Sequence, residues 1–209
     1  MAGLSLIVNA GGASRRMGQP KALLRVPNTG EPLLRHVIMR LAALPLEQVI
    51  VVVNDPNLVA AGGLTGRVQV VTDAETGRGP LAGLIAGLAI CAEWALVVAC
   101  DLPLINPALC RFLYSLAEGA GPGPAQVYEA IVPVVGGREQ PLHALYHRAV
   151  LPVAEQQLAT GERRVAALLH QVRTRWVAEE ELRPFDPHLY SFFNVNTPAE
   201  WAAACALLA

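Results

Sequence analysis

Apolar and polar positions along this chain fall into a repeating order of short apolar run, polar loop and amphipathic stretch. The apolar run from Leu4 to Val8 predicts a buried strand. It breaks into Gly11-Gly12 and a polar, basic loop that runs to Lys21. Between Pro32 and Leu44, apolar residues recur at helical spacing (Leu33, Leu34, Val37, Ile38, Leu41, Leu44), with Arg35, His36 and Arg40 between them. That pattern predicts an amphipathic helix. The β-branched run Gln48 to Val53 reads as a strand covered on both faces, and it ends at Asn54-Asp55-Pro56. Gly62-Gly63 marks a turn, and Val68 to Thr72 is a third strand ending at Asp73. Leu81 to Cys91 predicts a helix rich in small residues; Gly83 and Gly87 weaken it by propensity but permit close packing. Ala95 to Ala99 is a fourth strand that stops at Cys100-Asp101.

The second half is less regular. Asn106 followed by Pro107 predicts a capped helix start. Gly119 to Pro124 reads as a surface loop. Ala130 to Val135 and His143 to His147 predict two strands, as a hairpin or as an antiparallel excursion from the main sheet. Val150 to Leu158 and Val165 to Gln171 predict helices on either side of Gly161-Glu162-Arg163-Arg164, and Thr174 to Val177 a short strand. Glu179 to Glu181 reads as a solvated charge run. Thr197, Pro198 and Glu200 have the spacing of a capping box that opens a final helix.

Strand, loop and helix repeating in this way imply parallel crossovers and an α/β layered fold. Ligands bind such sheets beyond the carboxyl ends of the strands. The polar residues expected there are Asn9, Asn54, Asp73 and Asp101, and the whole chain contains only four Asp.

Composition narrows the options. The 209 residues read as one domain spanning 1–209, with 53% apolar and 16% charged residues and a net charge of −1. A nucleic-acid surface would usually bring a basic excess, which is absent. No apolar run is long enough to span a bilayer. The N-terminus lacks the basic n-region of a signal peptide, so the expected location is cytoplasmic. Cys91, Cys100, Cys110 and Cys205 lack metal-finger spacing and read as core thiols.

The loop after the first strand holds the candidate chemistry. Adjacent glycines let backbone N–H groups approach a phosphate. Arg15, Arg16 and Lys21 add positive charge, and Lys21 is the sole lysine beside fifteen arginines. A compact, mobile ammonium suits a phosphate whose charge moves during reaction. A Walker loop needs Lys-Ser/Thr after its second glycine, whereas Gly18 is followed by Gln19-Pro20-Lys21. The G-x-G-x-x-G dinucleotide pattern is also poorly matched.

Ala10-Gly11-Gly12, Arg16-Met17-Gly18 and Lys21 together resemble the signature of the nucleotidyltransferase superfamily. Within it, the chain is similar to the molybdenum cofactor guanylyltransferase family. The further blocks are Gly79-Pro80-Leu81-Ala82-Gly83-Leu84, Asp101-Leu102-Pro103-Leu104, Pro141-Leu142-His143-Ala144-Leu145-Tyr146, Gly161-Glu162-Arg163-Arg164-Val165 and Asn194-Val195-Asn196-Thr197-Pro198. The resemblance implies a Rossmann-like three-layer α/β/α fold with a mostly parallel sheet. It implies transfer of GMP from GTP to molybdopterin, with release of pyrophosphate and Mg²⁺ as cofactor. Upstream cofactor-synthesis proteins and recipient molybdoenzymes would be the protein partners.

By the same resemblance, Asn9, Ala10, Gly11 and Gly12 would place the loop against the nucleotide. Arg16 and Lys21 would bind its phosphates, and Asn54 and Asp73 would contact the nucleoside. Asp101 would hold the metal, with Asp73 as a second ligand or a ribose or base contact. Arg16, Lys21 and Asp101 would be the catalytic residues. Asn194 and Asn196 would lie near the reacting centre or the pterin. Arg163 and Arg164 would either bind the pterin's phosphate or begin a surface helix. The family usually has Leu where this chain has Asn9, and commonly Asp where it has Pro20. The second glycine of the loop and the Gly-Pro-Leu-Ala-Gly block favour guanine over cytosine. The alternatives are a sister nucleotidyltransferase using CTP or a sugar phosphate, and a non-catalytic cofactor-binding module.

Overall fold

The apolar runs become strands of one eight-stranded sheet. The computed structural model describes residues 3–11, 17–55, 57–58, 62–63, 68–72, 79–119 and 128–208. Strands β1 (Leu4–Asn9), β2 (Leu46–Val53), β3 (Val68–Thr72) and β4 (Trp94–Ala99) are parallel, with β1 between β2 and β4. The later strands are β5 (Ala130–Val135), β6 (Arg138–Glu139), β7 (His143–His147) and β8 (Thr174–Val177). The spatial order is β3-β2-β1-β4-β7-β5-β6, with β8 paired in parallel to β5. Strand β7 runs antiparallel to both β4 and β5. The two later apolar runs are therefore an antiparallel excursion of the main sheet, and the second of them is inserted beside β4.

Helices cover both faces. Among the described residues they include α1 (Leu33–Arg40), α2 (Pro80–Leu88), α3 (Pro107–Ala117), α4 (Leu151–Ala159), α5 (Val165–Leu169), α6 (Glu179–Leu182) and α7 (Pro198–Leu208). Successive strand residues feed opposite layers, as the period of two requires. Leu6, Val8, Leu96 and Val98 join α1, α3 and α7 in one core. Ile7, Ala95 and Val97 join α2, α4 and α5 in the other. The three-layer α/β/α arrangement expected from the resemblance is present.

Several boundaries differ from the pattern reading. Helix α1 stops at Arg40 instead of Leu44, because the chain tightens there: Leu41 N–H bonds the Ile38 carbonyl and Ala42 N–H the Met39 carbonyl. Helix α2 starts at Pro80 and stops at Leu88. Its glycines do permit close packing, since a Cβ on Gly87 would stand 2.7 Å from the Ile7 side chain. The Glu179 to Glu181 run is corrected from a solvated charge run to the short helix α6. Glu179 accepts the Gly136 N–H at 2.6 Å and pairs with Arg183, while Glu181 pairs with Arg175. These paired charges are a local tertiary contact, which a run of like residues in sequence does not reveal. Residues 120–124 of the expected Gly/Pro loop lie outside the described residues.

Candidate active site

The carboxyl ends of β1, β2 and β4 sit side by side, which brings Asn9, Asn54 and Asp101 to the same end of the sheet. Backbone pairing sets this alignment: Ala10 N–H bonds the Val52 carbonyl at 2.8 Å and Cys100 N–H bonds the Asn9 carbonyl at 3.1 Å. At the first strand end, the Gly11 peptide is held from both sides. Its N–H donates to Asn9 Oδ1 at 3.2 Å, and its carbonyl accepts from Asn54 Nδ2 at 2.5 Å. A Cβ at residue 11 would stand 2.6 Å from Asn54 Oδ1, so glycine is what lets the β2 end close on the loop. Asn9 is the last residue of β1 itself and not the first of the loop.

Lys21 opens a short 3₁₀ turn, Lys21–Leu23, that brings the loop back toward β4. Its Nζ lies 2.9 Å from Asp101 Oδ2 and 2.7 Å from Asn196 Oδ1. The side chains of Lys21 and Asp101 are only 15% and 17% exposed. Asp101 Oδ1 is buried and has no hydrogen-bond partner among the described residues. A buried carboxylate oxygen left unsatisfied is costly, and it marks a place for a cation or a donor from a ligand.

The turn carrying Asp101 is braced from two sides. From α1, His36 Nε2 lies 2.9 Å from the Pro103 carbonyl, and Arg40 Nε donates to the Ile105 carbonyl at 2.7 Å. From the other side, Val195 N–H donates to the Asp101 carbonyl at 3.0 Å. Burial pushes the His36 pKa down, which favours the neutral ring in that contact. The Asn-Val-Asn segment is in turn fixed by the start of α7. Glu200 Oε2 accepts the N–H groups of Asn196 and Thr197 at 2.7 and 2.9 Å, while Glu200 N–H donates to Thr197 Oγ1 at 3.2 Å. This is the capping box read from the sequence, and it presents Asn196 to Lys21.

A sequence profile for the MobA-like NTP transferase domain matches residues 6–175. The chain belongs to this family. In Pelotomaculum thermopropionicum, a probable molybdenum cofactor guanylyltransferase is 37% identical over 199 residues, covering 95% of this chain and 90% of that protein. A molybdenum cofactor guanylyltransferase of Syntrophotalea carbinolica is 34% identical, with 92% and 86% covered. Among solved structures, molybdopterin-guanine dinucleotide biosynthesis protein A from Archaeoglobus fulgidus superposes with a TM-score of 0.79 at 26% identity, covering 97% of each chain. The family read from the loop and the later sequence blocks is thus borne out.

Within this MobA-like frame, the expected site residues separate into groups. Asn9, Ala10, Gly11, Lys21, Asn54, Asp101 and Asn196 lie along the strand-end edge. Gly12, Arg15, Arg16 and Asp73 lie outside the described residues. Asn194 is exposed. Arg164 is exposed and paired with Glu162 at 2.6 Å, an interaction that holds the Glu162 pKa down near about 2. The Arg163 Cβ and carbonyl lie 3.7 Å from the Cβ position of Gly79, so this segment adjoins the start of α2. Buried Gln157 fixes it by donating to the Arg164 carbonyl at 2.9 Å.

His143 and His147 have structural neighbours. His143 is buried, lies 3.5 Å from Cys110 Sγ through Nε2, and packs on Phe192 with ring centroids 4.6 Å apart. His147 accepts the Ala149 N–H at 3.1 Å. All four cysteines are free, and three of them are buried. Burial, and then the charge of Asp101, push the Cys100 thiol up to about 12, which removes it as a nucleophile. The sequence pattern assigns no role to His36, Arg40 or Gln157, and gives Glu200 only its place in the capping box. His36, Arg40 and Gln157 bind backbone carbonyls, which no side-chain motif records. No helix among the described residues is long and apolar enough to cross a membrane.

Proposed function

We propose that this protein transfers GMP from GTP to the terminal phosphate of molybdopterin, forming the guanine dinucleotide and releasing pyrophosphate. The observation that carries this reading is the meeting of Lys21, Asp101 and Asn196 beside the glycine loop, in a chain of the MobA-like family. A molybdopterin phosphate oxygen attacks the α-phosphorus of GTP. The bond from that phosphorus to the bridging oxygen breaks, and the electron pair leaves with pyrophosphate. The attacking phosphate is already ionised at neutral pH, so no general base is required. Positioning and charge neutralisation supply the catalysis.

The residues have separable tasks. The loop from Ala10 through Gly12 seats the nucleotide, with Gly11 fixed by Asn9 and Asn54. Arg16 and Lys21 offset charge on the α-phosphate and the leaving group. Arg163, Arg164 and Asn194 serve the pterin side, and Asp73 serves the nucleoside. Nucleotidyltransferases of this kind use a divalent metal, and Mg²⁺ fits the donor set. Mg²⁺ takes one or two carboxylates and completes its shell with phosphates and water. Asp101 offers one carboxylate with a buried, unpartnered oxygen, and no cluster of three acidic, His or Cys ligands occurs among the described residues. Bound there, the ion would supply charge neutralisation at the phosphates. Guanine is favoured by the Ala10-Gly11-Gly12 loop and the Gly79 to Gly83 block, with the base contacts made by the strand-end edge.

The test is product analysis. Purified protein is incubated with molybdopterin, Mg²⁺ and each nucleoside triphosphate in turn, and the pterin products are identified by mass. The expected product is the guanine dinucleotide from GTP. Cytosine dinucleotide as the main product, or turnover only with a sugar phosphate, would refute the reading.

A further inference from the structure

Lys21 sits where a metal ion would be needed. Its ammonium is bonded to the very carboxylate proposed to hold the cation, at 2.9 Å, and is steadied by Asn196 Oδ1 at 2.7 Å. The backbone that carries Asn196 is held in place. The Glu200 carboxylate fixes the Asn196 and Thr197 N–H groups, and Val195 N–H fixes the Asp101 carbonyl, so Asp101 and Asn196, which both accept from the ammonium, share one braced frame. A single positive charge already sits on Asp101 in a site largely shielded from water. A dication approaching Asp101 in this state meets a like charge within a few ångströms, and repulsion at that range is strong where screening is poor. An incoming triphosphate changes the balance. It offers Lys21 several anionic oxygens and brings its own metal, so the ammonium can leave Asp101 for the phosphate as the metal arrives.

We infer that Lys21, seated by Asn196, acts as an internal counter-ion that keeps free divalent metal off Asp101 until a nucleotide draws the ammonium away. Metal and nucleotide then bind in a coupled manner, not independently. Asn196 is in this account a positioning residue for Lys21. The inference rests on the proposed assignment of Asp101 as the metal carboxylate.

Mn²⁺ alone is the probe, and its binding is followed by electron paramagnetic resonance on the full chain, without and with a GTP analogue whose α,β-bridge cannot be cleaved. Wild-type protein should bind Mn²⁺ weakly alone and much more tightly with the analogue. Lys21→Met should raise nucleotide-free Mn²⁺ affinity by about tenfold or more, the scale for removing one facing charge. Asn196→Ala should give a smaller rise, because it loosens the ammonium without removing it. Circular dichroism confirms that each variant is folded, and Lys21→Gln serves as a second variant if Lys21→Met is not. Unchanged nucleotide-free Mn²⁺ affinity in folded Lys21 variants would overturn the inference. Failure of the underlying metal assignment looks different: Asp101→Asn would then bind Mn²⁺ as wild type does in the presence of the analogue.

Discussion

Asp101 uses its two oxygens differently, one against an ammonium and the other buried without a partner among the described residues. Both Lys21 and Asp101 were legible in the sequence because each is a scarce residue type at a strand-end or loop position, where α/β sheets bind ligands. Their direct pairing was not legible, since nothing in the spacing of residues 21, 101 and 196 says that the three converge. Asn54 shows the same division. Its place at the end of β2 was expected, but its bond to the Gly11 carbonyl shows that it shapes the loop. Asn54→Ala should therefore raise the KM for GTP by about tenfold, the equivalent of one lost hydrogen bond of about 1.5 kcal/mol. Steady-state kinetics at varied GTP would check this. His143 predicts a pH effect. Burial lowers its pKa from 6.5 to about 4, only partly offset by the Ser191 backbone and the Asp186 charge. Above pH 6.5 the ring is neutral in both folded and unfolded chains. As pH falls toward 4, the unfolded chain takes up a proton that the native state refuses, so stability falls by about 3 kcal/mol in that window. His143→Phe should flatten the decline of the unfolding midpoint between pH 6.5 and 4; an unchanged slope would show that other groups set it.

At the scale of elements, helices with caps were read well and helix ends without caps were not. Asn106 and Thr197 marked the starts of α3 and α7 because a side-chain oxygen must satisfy the first N–H groups. Helices α1 and α2 end without a glycine or proline stop, so their periodicity runs past the true ends. The capping box of α7 also holds the backbone of Asn196, whose side chain meets Lys21. Glu200→Ala should cost about 1 kcal/mol in stability, the usual scale of a cap, and should lower kcat as well. Urea denaturation and turnover rates measured together would separate the two effects. Helix α2 offers an opposite test of propensity. Gly87→Ala would gain about 1 kcal/mol in an isolated helix. Here the new methyl would press on fully buried Ile7, so a net destabilisation of about 1–3 kcal/mol is expected. A rise in the urea midpoint would contradict that packing.

For the whole molecule, the four parallel strands could be read in order because the crossovers through α1 and α2 leave strand–loop–helix units in the sequence and β2 and β3 are separate β-branched runs. The insertion of β7 between β4 and β5 could not, because antiparallel pairing between distant runs has no local signature. That insertion places His143 opposite Val98, near the end of β4, where its ring packs on Phe192, two residues before Asn194. The sheet edge thereby gathers a loop from the start of the chain, a carboxylate from its middle and an amide from its end. We propose that guanylyl transfer takes place at this junction. The most direct measurement is the single-turnover rate of dinucleotide formation, with saturating GTP, Mg²⁺ and molybdopterin, for wild type, Lys21→Ala and Asp101→Ala. Each folded variant should be slower by about a hundredfold or more, the scale for losing one electrostatic stabiliser; near-normal rates in both would contradict the assignment of this site.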